Sequence, residues 1–126
     1  MEQVANENSF HQKLRQKMDE YAHLVFALTK KFPREELYGV TSQLRRASLS
    51  VILNYIEGYA RRRGAVYKNF LEISYGSLQE SKYLLEFSLK ERFIDEKAHQ
   101  HPNNLADEIG AMLWSTIKGV EENTSR

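Results

Sequence analysis

Two clusters of basic residues are the strongest candidates for chemistry in this sequence. Both follow apolar stretches, and their members are Lys30, Lys31, Arg34, Arg61, Arg62 and Arg63. Cationic side chains neutralise phosphates, and aromatic rings such as Tyr59 and Tyr67 stack on bases. Three consecutive arginines at a helix end would point about 100° apart. That fan suits sequence-tolerant contact with a phosphate backbone better than base reading. The structural alternative is that cations at a helix C-terminus stabilise the helix dipole.

A second candidate is a polar stripe on the stretch from Ser42 to Arg63, which is otherwise apolar or small around most of its circumference. With partners on the next helix, the cluster is Gln43, Arg45, Arg46, Ser50, Asn54, Glu57, Ser77 and Glu80. A partly buried arginine needs a carboxylate, so we expect Glu80 to pair with Arg45 or Arg46. The cluster then either holds helices together or contacts a ligand or partner.

The sequence contains few of the residue patterns that an enzyme active site or a metal site requires. The sequence has no Cys, no phosphate-binding loop and no paired nucleophile and base. His99 and His101 lack further ligands in sequence and are predicted to lie in a solvated loop. The helix-three glutamates lack the Glu-x-x-His spacing of di-iron bundles. We therefore predict a protein without catalytic residues, metal or cofactor.

Composition limits the remaining classes. The net charge of the 126 residues is +1, so any nucleic-acid contact must depend on local clusters. The N-terminus does not resemble a signal peptide, and no apolar run approaches the roughly 18 residues of a membrane span. The expected location is the cytoplasm. Residues 1–8 and 123–126 are predicted to be flexible ends of a single domain, 9–122.

Four helices account for the rest of the pattern. A heptad-like stripe predicts the first helix, from Ser9 or Phe10 to about Lys31, and Pro33 stops it. The others are predicted at about Ser42–Arg63, Val66–Arg92 and Asn104–Glu121. Asp95 can cap a further turn, but Pro102 argues for a break or kink. Short connections predict an all-α, antiparallel four-helix bundle with up-down-up-down topology.

The helices carry features that point beyond one chain. Ser74, Ser77, Ser81 and Ser88 share one face of the third helix, where small residues allow close approach of a neighbour. The second helix is apolar over a wider arc than one core needs, and Trp114 lies opposite the apolar stripe of the last helix. Burial by a second chain would cover both, so we expect a homo-oligomer.

The motifs on helices two and three resemble those of the small four-helix proteins encoded in intervening sequences of bacterial 23S ribosomal RNA genes. The similarity covers about residues 18–93, and the last helix only by pattern. The matching positions are Gln43, Arg45, Arg46, Ser50, Asn54, Glu57, Gly58, Phe70, Leu71, Gly76, Ser77, Leu78 and Glu80. Two positions depart from the family's pattern: Ile52 replaces a frequent Pro and should straighten the helix, and Tyr55 replaces a smaller aliphatic residue.

The resemblance implies an all-helical homo-oligomer, most often a pentamer, without a defined role. A more distant similarity is to the accessory protein of diversity-generating retroelements, a basic pentamer that engages nucleic acid. The leading hypothesis is a non-enzymatic oligomer that binds RNA or a nucleoprotein partner through basic surfaces. The alternative is a structural or protein-interaction module without nucleic-acid contact.

Overall fold

The computed structural model describes the backbone of residues 2–124 and the side chains of residues 9–123. Within these residues the chain forms four helices and no strand. They are α1 (Glu2–Thr29), α2 (Val40–Ala60), α3 (Gly64–Lys90) and α4 (Glu96–Thr124), with a 3-10 turn at Arg34–Glu36. No helix of this part is long and apolar enough to cross a membrane. The predicted all-α class is confirmed.

Two helix starts differ from those predicted. Helix α1 begins at Glu2, and α4 begins at Glu96 and continues through Pro102 without a break. The predicted cap at Asp95 is confirmed, since its carboxylate accepts a hydrogen bond from the backbone N–H of Ala98 at 2.8 Å. The cap starts the helix about two turns before the proline. The predicted flexibility of both ends stays a prediction, and Met1 and residues 125–126 lie outside the described residues.

Each helix packs against two neighbours in the order α1, α2, α3, α4 and back to α1. Helices α1 and α2 run in opposite directions. His11, early in α1, contacts Tyr55, late in α2, whereas Thr29 at the end of α1 contacts Arg45 near the start of α2. The same holds for α3 and α4. Lys82 pairs with Asp107 near one end, and Lys68 pairs with Glu121 near the other.

The core consists of one stripe from each helix. The α1 stripe is buried from Leu14 to Phe32, with Leu28 partly buried, whereas Phe10 at its start is exposed. On α3, Leu71, Leu78 and Leu85 are fully buried, whereas Val66 and Ile73 are half exposed. The buried aliphatic positions of α4 include Leu105, Ile109, Leu113 and Ile117.

The serine face of α3 forms the closest packing of the molecule. The Ser74 hydroxyl donates to the carbonyl oxygen of Val51 at 2.6 Å, so the backbone of α2 lies directly against α3. The Ser81 hydroxyl and the hydroxyl of Tyr21 lie 2.7 Å apart, which satisfies a fully buried tyrosine. The predicted role of these small side chains in close helix approach is confirmed.

Gly58 extends this close contact to the end of α2. A methyl group added at Gly58 would lie 2.7 Å from the Cβ of Phe70, a distance that real Cβ atoms do not reach. Gly76, on the exposed side of α3, has nothing within 4 Å of the same added atom. The two glycines of the family motif therefore differ: the first is required by packing and the second is not.

We predict that Gly58→Ala lowers the free energy of unfolding by about 1–3 kcal/mol, because α2 and α3 must move apart. Gly76→Ala is the matched control and should raise it by about 0.5–1 kcal/mol, since alanine restricts the unfolded chain and favours helix. Urea unfolding at one fixed protein concentration measures both. Equal effects of the two substitutions would contradict the assigned contact.

Candidate nucleic-acid interface

The three consecutive arginines lie in the turn between α2 and α3. Helix α2 ends at Ala60, Arg61 caps it with φ −116° and ψ 43°, and Arg63 is extended. Gly64 follows with φ 39°, in the left-handed region that favours glycine. The arginines are exposed but are not successive helical residues. The expected helical fan is therefore wrong, because the chain must leave α2 at once to return along α3.

The three guanidinium groups have different surroundings. Arg61 pairs with Glu57 at 2.8 Å. Arg62 lies 3.8 Å from the ring centre of Tyr59 and donates to the carbonyl oxygen of the same residue at 2.7 Å. Arg63 forms no ion pair among the described side chains. One arginine is thus paired, one is held on an aromatic ring, and one is available.

A stack of aromatic rings supports Arg62. The His11 ring lies parallel to the Tyr59 ring with centres 3.4 Å apart, and Arg62 covers the same ring. At these distances both groups cannot share one face, so Tyr59 lies between His11 and Arg62. The hydroxyl of Tyr55 is 2.6 Å from Nδ1 of His11. This contact gives the hydroxyl of the buried Tyr55 a hydrogen-bond partner.

The protonation of this stack follows from its surroundings. Burial lowers the pKa of His11, and the positive charges of Arg15 and Arg62 lower it further. Burial raises the pKa of the Tyr55 hydroxyl, so this group stays protonated and can donate to a neutral His11. Burial likewise raises the pKa of Tyr67, which faces Arg62 across the turn.

Two open cavities flank the arginine turn. One, of about 330 Å³, is lined by Arg62, Gly64, Tyr67, Val120 and Asn123. The other, of about 400 Å³, is lined by Ala60, Arg61, Arg63 and Val66. We name the exposed turn with the two cavities the arginine end. It offers cations, aromatic surface and space together, which is what a phosphate and an adjoining base or sugar require.

The second basic cluster lies elsewhere. Lys30, Lys31 and Arg34 are exposed and follow the C-terminus of α1, beside the contact between Thr29 and Arg45. The part of α2 from Arg45 to Ala60 spans roughly 22 Å at 1.5 Å per residue. The two clusters are therefore at opposite ends of the helices and do not form one rim.

The predicted interhelical polar cluster forms only in part. The hydroxyls of Ser50 and Ser77 are 2.7 Å apart, and Asn54 donates to Ser50 at 2.9 Å. These three residues join α2 to α3. Gln43, Arg46 and Glu80 are exposed and do not enter this network. Glu57 pairs with Arg61 instead.

The predicted pairing of Glu80 with Arg45 or Arg46 is wrong. Arg45 turns towards α1, where its Nε donates to the Thr29 hydroxyl at 2.8 Å and its guanidinium lies over the ring of Phe26 at 5.0 Å. No ion pair of the described residues joins Glu80 to either arginine. Because Arg45 is only half-buried and hydrogen-bonded, it does not require a buried carboxylate.

The histidines also differ from expectation. His99 and His101 lie within α4 and not in a loop, and His101 is 3.4 Å from Glu20 of α1. In the described part of the chain, no group of three His, Cys, Asp or Glu side chains is placed to hold a metal ion. The His11 stack was missed by sequence reasoning. Its only sequence signal is the i,i+4 spacing of Tyr55 and Tyr59, which places both rings on one face of α2.

Two surfaces away from the arginine end expose apolar side chains. On α2, Leu49 and Leu53 are 40% and 59% exposed, so the wide apolar arc of this helix is not covered within the chain. On α4, Trp114 is 50% exposed, as its position opposite the core stripe predicts. The Trp114 ring packs against Tyr75 with ring centres 5.8 Å apart, and Lys118 lies over it.

Comparison with known proteins identifies the family. The profile of the 23S rRNA-intervening sequence proteins matches residues 11–115 of this chain. The chain belongs to this family. The match extends beyond the motifs of helices two and three into α4. It confirms the resemblance, while the curated proteins searched contain no match.

The fold of this family member is shared with a solved structure. A crystal structure from Bacteroides thetaiotaomicron, of a protein with unknown function from the S23 ribosomal protein family, matches with a TM-score of 0.80. The two sequences are 25% identical, and the match covers 86% of this chain and 98% of that one. The likeness supports the helical fold and family and assigns no activity.

We predict that His11 makes stability depend on pH near neutrality. The pKa of His11 in the folded state lies below the ordinary value of about 6.5. As the pH falls through this range, the unfolded state therefore binds more protons than the folded state. The contribution of neutral His11 to the free energy of unfolding should therefore be fully present above about pH 6.5. It should be lost progressively as the pH drops from about 6.5 to the lowered pKa. His11→Phe keeps a stacking ring and should reduce this loss. His23→Gln, at an exposed position on the same helix, is the control. Urea unfolding at pH 7.5 and 5.5 measures the difference, and an unchanged pH dependence in His11→Phe would contradict it.

Proposed function

We propose that this chain is a non-enzymatic, homo-oligomeric protein with an up-down-up-down arrangement of helices, which binds RNA through phosphate contacts. The observation that carries the proposal is the arginine end, where three consecutive exposed arginines adjoin an aromatic stack and one of them, Arg62, lies on the Tyr59 ring. RNA is the proposed nucleic acid because the family name connects its members with 23S rRNA. The antiparallel residue pairs between neighbouring helices support the topology.

The arrangement of the arginine end suits phosphate binding. Arg62 is oriented by the Tyr59 ring and carbonyl, so less side-chain freedom is lost when its outer N–H groups bind. Arg63 has no competing ion pair among the described side chains. The Arg61–Glu57 pair is exposed and can exchange for phosphate at little cost. Binding of this kind is tolerant of sequence and weakens with salt.

Oligomerisation would multiply these contacts. Each copy presents one arginine end, so a ring of copies presents several to one RNA. The exposed leucines of α2 and exposed Trp114 are the surfaces that we propose to be covered in the assembly. The resemblance to the family favours a pentamer. Lys30, Lys31 and Arg34 remain a predicted secondary contact at the far end.

A second function is favoured by a different observation. The exposed apolar side chains Leu49, Leu53 and Trp114 could serve protein contacts alone, and the net charge of +1 gives no general attraction to nucleic acid. In that case the chain is a structural or interaction module, and the arginines only complement helix ends.

We predict that Arg61→Gln, Arg62→Gln and Arg63→Gln together remove most RNA retention while helicity and oligomer mass remain. Removing three phosphate contacts should make the salt slope of binding to single-stranded RNA shallower by roughly 2. The matched control replaces Lys30, Lys31 and Arg34 with Gln, which removes the same charge at the other end. Filter binding between 50 and 300 mM salt, using a structured and an unstructured RNA, gives both slopes.

Two outcomes decide between the functions. A larger loss in the arginine-end variant than in its control supports RNA binding at this end. If the wild-type protein retains neither RNA nor DNA in a salt-sensitive manner, the nucleic-acid function is wrong and the interaction module replaces it.

A further inference from the structure

Two surfaces of the chain, one projecting and one recessed, expose apolar side chains. The first projects from α2 and consists of Leu49 and Leu53; we name it the α2 ridge. The second is a depression of about 340 Å³ between α3 and α4, which we name the α3–α4 groove. The α4 wall consists of Ala106, Asp107, Gly110, Ala111 and Trp114, and the α3 wall of Tyr75, Gln79 and Lys82. Small residues beside Trp114 and Tyr75 leave room for branched aliphatic side chains, while the polar residues lie on the remaining lining.

The ridge and the groove lie at the same height along the helices. Ser50, next to Leu49, contacts Ser77, and Ser77 lies two residues beyond Tyr75, which packs on Trp114. The heights agree to within about one helical turn, or roughly 5 Å. Helices α2 and α4 also run in the same direction, because each pairs with α3 in the opposite direction.

The charged residues that flank the two surfaces occur in opposite order along the chain: positive then negative on α2, and negative then positive on α4. On α2, Arg46 precedes the leucines by about one turn and Glu57 follows them by one turn. On α4, Asp107 precedes Ala111 by one turn and Lys118 follows Trp114 by one turn. When the two helices are placed side by side at equal height, a positive residue meets a negative one at each end of the apolar contact.

The geometry points to a contact in which the α2 ridge of one copy packs into the α3–α4 groove of the next copy, with Arg46 facing Asp107 and Glu57 facing Lys118. This inference rests on the proposed homo-oligomer and names its contact surfaces. Ridge and groove belong to different helices of one chain, so the contact is heterologous. Each added copy leaves one ridge and one groove free, and rotation about an axis along the helices closes a ring.

Existing ion pairs do not oppose this contact strongly. Asp107 pairs with Lys82, Glu57 with Arg61, and Lys118 with Glu121; the first and last pairs each have one half-buried partner, Lys82 and Glu121, and the other side chains are exposed. Such pairs contribute little in water and can rearrange. Arg46 forms no ion pair among the described side chains. The main gain is the removal of Leu49, Leu53 and Trp114 from water.

Disulfide trapping tests the contact, because the chain has no cysteine of its own. Leu49→Cys and Ala111→Cys proteins, whose cysteines are level in the proposed contact, are prepared separately, mixed, allowed to exchange subunits and oxidised. The mixture should form a linked dimer that neither protein forms alone, since a disulfide requires Cα atoms within about 7 Å. The control replaces Ala111→Cys by Tyr83→Cys, at an exposed position of α3 outside the groove. Circular dichroism verifies that each variant is folded.

A charge exchange provides an independent readout. Arg46→Glu should weaken assembly by about tenfold or more, because it places two negative residues together. Adding Asp107→Arg should restore assembly, as measured by light scattering over a dilution series. Restoration by an added charge is not expected if Arg46 acts only within its own chain.

The outcomes separate this contact from the proposed oligomer. A monomeric wild-type mass at micromolar concentration overturns both. An oligomer in which Leu49→Cys links to itself, links equally well to Tyr83→Cys, or does not link to Ala111→Cys overturns the ridge-and-groove contact and leaves the oligomer standing. Selective linking together with charge restoration supports it.

Discussion

The close approach of α2 to α3 is the constraint on which the rest of the structure depends. Gly58 leaves no space for a side chain against Phe70, and the Ser74 hydroxyl reaches the backbone of α2 at Val51. Because this face of α2 is held against α3, the hydroxyls of Ser50 and Ser77 contact each other between the two helices. The opposite face, with Leu49 and Leu53, is then left outside. The close contact between α2 and α3 thus accounts both for the tight packing of this helix pair and for the exposed apolar surface on the other side of α2.

The same contact determines the geometry of the arginine end. Because α2 and α3 touch up to Gly58, only a short turn can connect them, and Arg61, Arg62 and Arg63 occupy it. A short turn holds these cations near the last ring of α2. Tyr59 lies there between Arg62 and His11, so the N-terminal part of α1 supports the same site. The site therefore involves all four helices, since Val120 and Asn123 of α4 line one of its cavities, although its charges come from one turn.

Much of the fold was predictable because it follows from local pattern. The seams of α1 and α4, the serine face of α3 and the outward position of Trp114 all depend on which side of a helix a residue occupies. The side-chain pairings that the sequence did not predict depend on contacts between residues far apart in the chain. Arg45 meets Thr29 and not Glu80, and His11 meets Tyr59, because these pairings depend on how α2 is rotated against α1. The cap at Asp95 starts α4 upstream of Pro102, and the helix continues through the proline.

The exposed apolar surfaces connect the fold to the proposed assembly, and Trp114 reports on them directly because it is the single tryptophan of the chain. The most direct measurement is its fluorescence emission over a dilution series, recorded with the molecular mass from light scattering. If copies cover the α3–α4 groove, the emission maximum should move to longer wavelength and quenching by iodide should increase as the mass falls to that of one chain. An emission maximum that is unchanged while the mass falls would contradict coverage of the groove, and a mass of one chain at every concentration would contradict the assembly itself.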